Sequence, residues 1–183
     1  LIEAANTFHR RTAFLEFGIH GSDSLQVNIS EVLRRVRRLR DDFVAGTTKV
    51  TTDLGERAIS GRARLVGPNR VEVNGQEWSA RNIIIATGSS PVIPQAWNSF
   101  KHHILTTDTL FEQETLPARM AVVGMGPIGI EMAQALSRLG IDVVGFGRSP
   151  LIAGLTDPHV NDTATVSLTE EWPIYLGEKA ELV

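Results

Sequence analysis

Apolar and polar positions along the chain follow three rhythms. Leu1, Ile2, Ala5 and Phe8 recur at helical spacing and predict a helix to about Phe17, with Gly18, Gly21, Ser22 and Asp23 in the loop beyond. Asn28 followed by Glu31 is a capping-box pair. Val32, Val36, Leu39 and Phe43 then predict a second helix that packs by this face. After Thr47-Thr48 the rhythm shortens: residues 57–66 and 70–73 alternate loosely, Asn74-Gly75 is a hairpin signal, and 76–80 predicts the returning strand. Residues 82–88 do not alternate. This β-branched run, Ile83-Ile84-Ile85 closed by Gly88, predicts a strand buried on both faces of a parallel sheet. Pro91, Pro94 and the polar stretch to Thr107 predict a linker, with Thr107 capping a short helix over 108–114 that Pro117 stops.

The third rhythm is the most regular. Met120-Ala121-Val122-Val123 predicts a short buried strand, and Gly124-Met125-Gly126-Pro127-Ile128-Gly129 opens a helix. That helix carries Ile128, Met132, Ala135, Leu136 and Leu139 on one face and ends at Gly140; residues 141–145 predict the next strand. Strand, glycine turn, helix and strand within about 30 residues make a right-handed βαβ unit. At the ends, Leu1 begins in mid-pattern without a cap, and residues 179–183 begin another strand. The expectation is an internal piece of a longer chain.

Composition narrows the function. Apolar residues make up 42% and charged residues 21%, as in ordinary folded proteins, and no apolar run reaches the ~20 residues of a membrane helix. The net charge of −3 makes neither nucleic acid nor a membrane the default partner. Arg34, Arg35, Arg37, Arg38 and Arg40 form one basic helix face. Glu31, Asp41 and Asp42 balance it and no aromatic side chains interleave for base stacking, so it reads as a solvated face. With no cysteine, the chain has no thiolate metal site and no Cys nucleophile, and no metal site is expected.

The glycine hexad has a chemical use in its strand-to-helix setting. Gly124 permits the tight turn, Gly126 lets a pyrophosphate approach the backbone, and Gly129 lets helix and strand pack closely. The helix start, with Met125, Pro127 and Ile128, offers free amides and the positive end of the helix dipole to the anion. Pro127 suits the first helical position, where its missing N–H costs nothing. An acid is expected about 20 residues on, to accept from the adenosine ribose hydroxyls. Gly147, 23 residues past Gly124, holds that place. The carboxylate that disfavours a 2′-phosphate is thereby missing, and NAD and NADP both remain open. Arg148 beside it is open to three roles: holding a 2′-phosphate, stacking on adenine, or neither.

Residues 83–94, Ile-Ile-Ile-Ala-Thr-Gly-Ser-Ser-Pro-Val-Ile-Pro, followed by 121–131, resemble the centre of the pyridine nucleotide-disulfide oxidoreductases, FAD flavoenzymes that include dihydrolipoamide dehydrogenase. The resemblance extends along the whole chain: residues 1–5 resemble the helix after the redox-active cysteine pair, Ser60-Gly61-Arg62-Ala63 a stretch touching the flavin nucleotide, and Asp157 a family aspartate. It implies an α/β, Rossmann-like three-layer FAD/NAD(P)-binding fold cut from two nucleotide domains. Residues 1–115 would be the C-terminal part of an FAD domain (two helices, β-meander, closing parallel strand and linker), and 116–183 the N-terminal half of a NAD(P) domain.

By the same resemblance, Ala63, Thr87, Gly88 and Ser89 would line the FAD site. Gly124, Gly126 and Gly129 would hold the nicotinamide cofactor's pyrophosphate, and Glu131 would approach the flavin. The family's cysteine pair and its catalytic His–Glu pair have no match here; His9, His20, His102, His103 and His159 read as surface or loop residues. The implied parent is a cytoplasmic homodimer using FAD and NAD, or NADP, on a dithiol or disulfide that is a small molecule or a lipoyl protein. Other disulfide reductases or transhydrogenases of the family stay open, as does a NAD(P)-binding module without redox activity. The chain alone would be inactive. Apolar faces in residues 1–90 are expected to be left uncovered, driving oligomerisation, swapping or repacking, while the βαβ unit stays native.

Overall fold

A computed structural model describes residues 1–177 and 179–182. The elements follow the order α1 (Ile2–His9), α2 (Ile29–Asp53), β1 (Arg64–Gly67), β2 (Arg70–Val73), β3 (Gln76–Ser79), β4 (Arg119–Val123), α3 (Pro127–Arg138), β5 (Asp142–Gly147), α4 (Pro158–Thr169) and β6 (Ile174–Leu176). They form two three-stranded sheets: an antiparallel meander β1-β2-β3 and a parallel sheet β4-β5-β6.

The parallel sheet carries the core. Val143, Ile141, Ala133, Leu136 and Trp172 are buried together, with Met120, Val122, Leu168 and Ile174 packed on them, so α3 and α4 lie on one face of the sheet. On its other side α3 buries Ala135 and Leu139 against Ala5 of α1, with Ile29 and Val32 from the start of α2. Helix α3 is thus clamped between the sheet and the N-terminal helices. Arg138 fastens the clamp, donating to both Glu171 carboxylate oxygens (2.7 and 2.8 Å) and to Asn6 Oδ1 (2.9 Å). These hydrogen bonds hold the Glu171 carboxyl below its ordinary range; Gln134 adds to the effect, and partial burial opposes it.

Several sequence expectations change in three dimensions. The first helix is α-helical only to His9 and continues to Phe17 as a 3-10 helix. Helix α2 starts where expected, with the Asn28 side chain accepting from the Glu31 amide (3.2 Å), but it runs on through Thr47-Thr48 to Asp53. Thr47, Thr51 and Thr52 each turn a hydroxyl back to the carbonyl four residues earlier, which accommodates them in a helix despite their strand preference. Its packed position is Leu33; Leu39 and Phe43 are exposed, and beyond the first turns the helix is tied instead through Arg37 and Arg40 to residues 111–113.

The first strand of the meander starts at Arg64, not residue 57, while the Asn74-Gly75 turn forms as expected, with φ of 53° and 80°. Residues 82–88 form no strand, and Ile84 is 91% exposed. A parallel strand exists only through its neighbours, and no described strand lies alongside. The short helix expected over 108–114 is one 3-10 turn, Leu110–Glu112, whose N-cap position is Thr109 rather than Thr107 and has no side-chain cap hydrogen bond. In α3 Ile128 is exposed and Ala133 takes its place in the core. The strand expected over 179–183 does not form over 179–182, and Val183 lies outside the described residues. The sequence reading missed helix α4 even though Asp157-Pro158 is a strong start: Asp157 Oδ1 accepts from the His159 and Val160 amides (2.9 and 3.1 Å).

Candidate functional site

The site grows from the carboxyl end of β4. Gly124 leaves the strand at φ 108° and its amide donates to the Phe146 carbonyl (2.7 Å), locking the turn to β5. A Cβ on Gly129 would run into the Gly124 carbonyl oxygen, so close helix-to-strand packing requires glycine there. Gly126, the α3 N-cap, has open space where its Cβ would be. The first turn of α3 leaves its amides without intrahelical acceptors, and Pro127 at N1 has no amide to leave. An uncovered glycine, free amides and the positive helix end face the same opening, which fits a pyrophosphate.

That opening is a cleft of about 570 Å³, lined by Gly126, Ile128 and Met132 on one side and by Ser89, Thr107 and Leu110 on the other. The 106–113 turn is fixed from α2: Arg37 donates to the Phe111 carbonyl (3.2 Å) and to that of Gln113 (2.5 Å), and Arg40 pairs with Glu112. Two arginines of the basic face are therefore structural ties, while Arg34, Arg35 and Arg38 stay exposed.

Behind the turn, Met125 is buried against Gly145 and Gly147. Its carbonyl accepts from the Ala153 amide (2.8 Å), at a residue with φ of 52°. The 150–153 loop is held by buried Asn161, whose Oδ1 accepts from the Ile152 amide (2.9 Å) and whose Nδ2 donates to the Pro150 carbonyl (3.4 Å). Sequence reading missed Asn161. The available signal was an asparagine within the first turn of a helix otherwise short of polar core residues.

The other expected site residues are dispersed. Gly147 is buried at the end of β5 and Arg148 is exposed beside it. Glu131 is exposed on α3. Ser89 reaches the cleft, but Ala63, Thr87 and Gly88 are exposed and outside it. The described residues fit a dinucleotide pyrophosphate at the turn, and of the residues expected at the flavin only Ser89 lines this cleft. No described group of His, Asp and Glu is arranged to hold a metal ion, and no described helix is long and apolar enough to cross a membrane.

The family model for pyridine nucleotide-disulphide oxidoreductases matches residues 1–174. The chain belongs to the pyridine nucleotide-disulphide oxidoreductase family. It is 37% identical over 113 residues to mercuric reductase of Lysinibacillus sphaericus, covering 62% of this chain and 21% of that protein. It is 32% identical over 147 residues to dihydrolipoyl dehydrogenase of Thermus scotoductus, covering 78% of this chain and 31% of that one. LpdA from Mycobacterium tuberculosis superposes with a TM-score of 0.72 at 22% identity, over 98% of this chain and 40% of its own. The chain thus spans well under half the length of these relatives. Its family fold is the α/β, FAD/NAD(P)-binding Rossmann-like one, and the relatives' different names leave the substrate open.

Proposed function

We propose that this chain supplies the nicotinamide-dinucleotide-binding βαβ unit, and an adjoining part of the flavin domain, of an FAD-dependent oxidoreductase working between NAD(P)H and a dithiol or disulfide. The observation that carries the reading is the turn 124–129, with open space over Gly126 and the start of α3 facing the cleft. When bound, the two cofactors supply the hydride and electron chemistry. The chain's own part is to bind and orient: first-turn amides of α3 hold the pyrophosphate, and Met125, Gly145 and Gly147 pack the turn onto the sheet. Ser89 and the turn tied by Arg37 form the opposite wall.

Residues 1–115 are assigned to the flavin domain and 116–183 to the nicotinamide domain. Ala63, Thr87, Gly88 and Ser89 would meet FAD, and Glu131 would place its carboxylate near the flavin. The parent in this reading is a dihydrolipoamide dehydrogenase-like cytoplasmic homodimer, supported by the family membership and by the dihydrolipoyl dehydrogenase similarity. The chain has no cysteine and is assigned no disulfide-exchange activity of its own.

Calorimetry with ADP-ribose, NADH and NADPH tests the reading. Binding is expected for the chain and lost in Gly126→Val with an unchanged circular dichroism spectrum. Equal binding by the variant would remove the turn from the site, and lipoamide turnover by the 183-residue chain would refute its inactivity.

A further inference from the structure

Helix α2 carries an apolar stripe that the fold uses at one end. Val32, Val36, Leu39, Phe43, Gly46 and Val50 recur at alternating steps of four and three residues, so they fall on one side of the helix. Val32 packs against the Ala5, Ala135 and Leu139 cluster, and Val36 is half-buried. From Leu39 onward the stripe is bare: Phe43 is 78% and Val50 66% exposed. Arg37 and Arg40, which hold residues 111–113, project from a different side of the helix. An aromatic ring and two branched side chains in a row on an exposed helix face mark a surface that something covers.

The charges beside the stripe select the occupant. Arg35, Asp42 and Lys49 stand seven residues apart along one flank, and Glu56 continues the series just past the helix end. All four are exposed. Their order, positive, negative, positive, negative, is its own complement when a copy of the helix runs the other way. Setting Phe43 against the partner's Gly46 sets Leu39 against the partner's Val50, Asp42 against the partner's Lys49 and Arg35 against the partner's Glu56. A two-fold axis then repeats every contact. No atom lies within 4 Å of where a Cβ on Gly46 would be, which leaves room for a phenyl ring on the bare backbone. A parallel copy in register fails on both counts, stacking ring on ring and glycine on glycine and bringing Arg35 toward the partner's Arg40. Lys49 is engaged by Asp53 in an exposed pair (2.9 Å), a weak tie that leaves its ammonium able to meet a second carboxylate.

We propose that α2 is a self-association surface: two copies of this chain pair through antiparallel α2 helices, closed by Leu39, Phe43 and Val50 and registered by the Asp42–Lys49 and Arg35–Glu56 contacts across the two-fold axis. None of these residues lines the dinucleotide cleft. The proposal goes beyond the homodimer of the functional reading by naming which faces meet and in which direction.

Sedimentation equilibrium of the 183-residue chain from about 1 µM to about 500 µM tests this, because so small a contact dissociates in the micromolar range. A monomer–dimer equilibrium is expected. Phe43→Glu should weaken it at least about tenfold with an unchanged circular dichroism spectrum. Asp42→Lys sets like charges against each other at two symmetric places and should weaken pairing about tenfold. Combining it with Lys49→Asp should restore the dimer, a rescue that a merely structural role or a parallel pair would not give. ADP-ribose binding should be unchanged in Phe43→Glu, which keeps loss of pairing distinct from loss of the dinucleotide site. A monomer at every concentration overturns the proposal and leaves the stripe to a partner of another kind. A dimer indifferent to Phe43→Glu, or a double variant that pairs no more tightly than Asp42→Lys alone, overturns it as well.

Discussion

Residues 82–88 and β5 are written in nearly the same language: short β-branched or small runs that end in glycine. One is a strand and the other is not. In β5 Val143 is 2% exposed, and the strand pairs with β4 on one side and β6 on the other. Ile84 is 91% and Ile85 70% exposed, and no described strand flanks them. Propensity is shared; hydrogen-bonding neighbours and covering helices are not. A parallel strand is a property of the sheet it joins, and its side chains are stabilised only once something covers both faces.

Substitutions that touch both regions break or sharpen this contrast. The largest effect is expected at Gly129→Ala, where the added methyl meets backbone rather than a movable side chain; a loss above about 3 kcal/mol in urea unfolding should accompany loss of dinucleotide binding. Leu136→Ala in the βαβ core should cost about 2–5 kcal/mol, whereas Ile84→Ala should change stability by less than about 0.5 kcal/mol. Comparable costs at the two sites would mean that residues 82–88 are packed after all.

Removing a cap should cost less, about 1 kcal/mol for Asp157→Ala at α4, measured as a lowered melting temperature. The smallest effect concerns pH. Because the Glu171 carboxyl is depressed below its ordinary value of 4.5, its contribution is complete above that value and is lost as pH falls through the lower folded one. The difference in stability between the natural chain and Glu171→Gln should therefore vanish in strong acid and be constant near neutrality. A difference that grows as pH falls would contradict the Arg138 pairing.

The legible parts of the sequence were those whose cause is local. The turn 124–129 is fixed by glycines that sterics alone demand, the Asn74-Gly75 turn by positive φ, and the start of α2 by the Asn28 cap. Where the sequence misled, the cause was distant or competing. Thr47-Thr48 favours a strand in isolation, but hydroxyl back-bonding and the Lys49–Asp53 pair keep the helix going. Ile128 matched the apolar face of α3 but falls on the side that opens to the cleft. Arg37 and Arg40 belong to a run that reads as a solvated face, but the 106–113 turn lies against them.

The sequence by itself determined the βαβ unit, its glycine turn and the free amides at the start of α3, because steric rules and helix-end chemistry operate within a few residues. Only the tertiary structure decided that Gly147 is hemmed in by Leu176 and Met125, that Asn161 steadies the loop behind the turn, and that residues 82–88 stay open. Those outcomes depend on which segments, far apart along the chain, are brought into contact, and no local pattern encodes that.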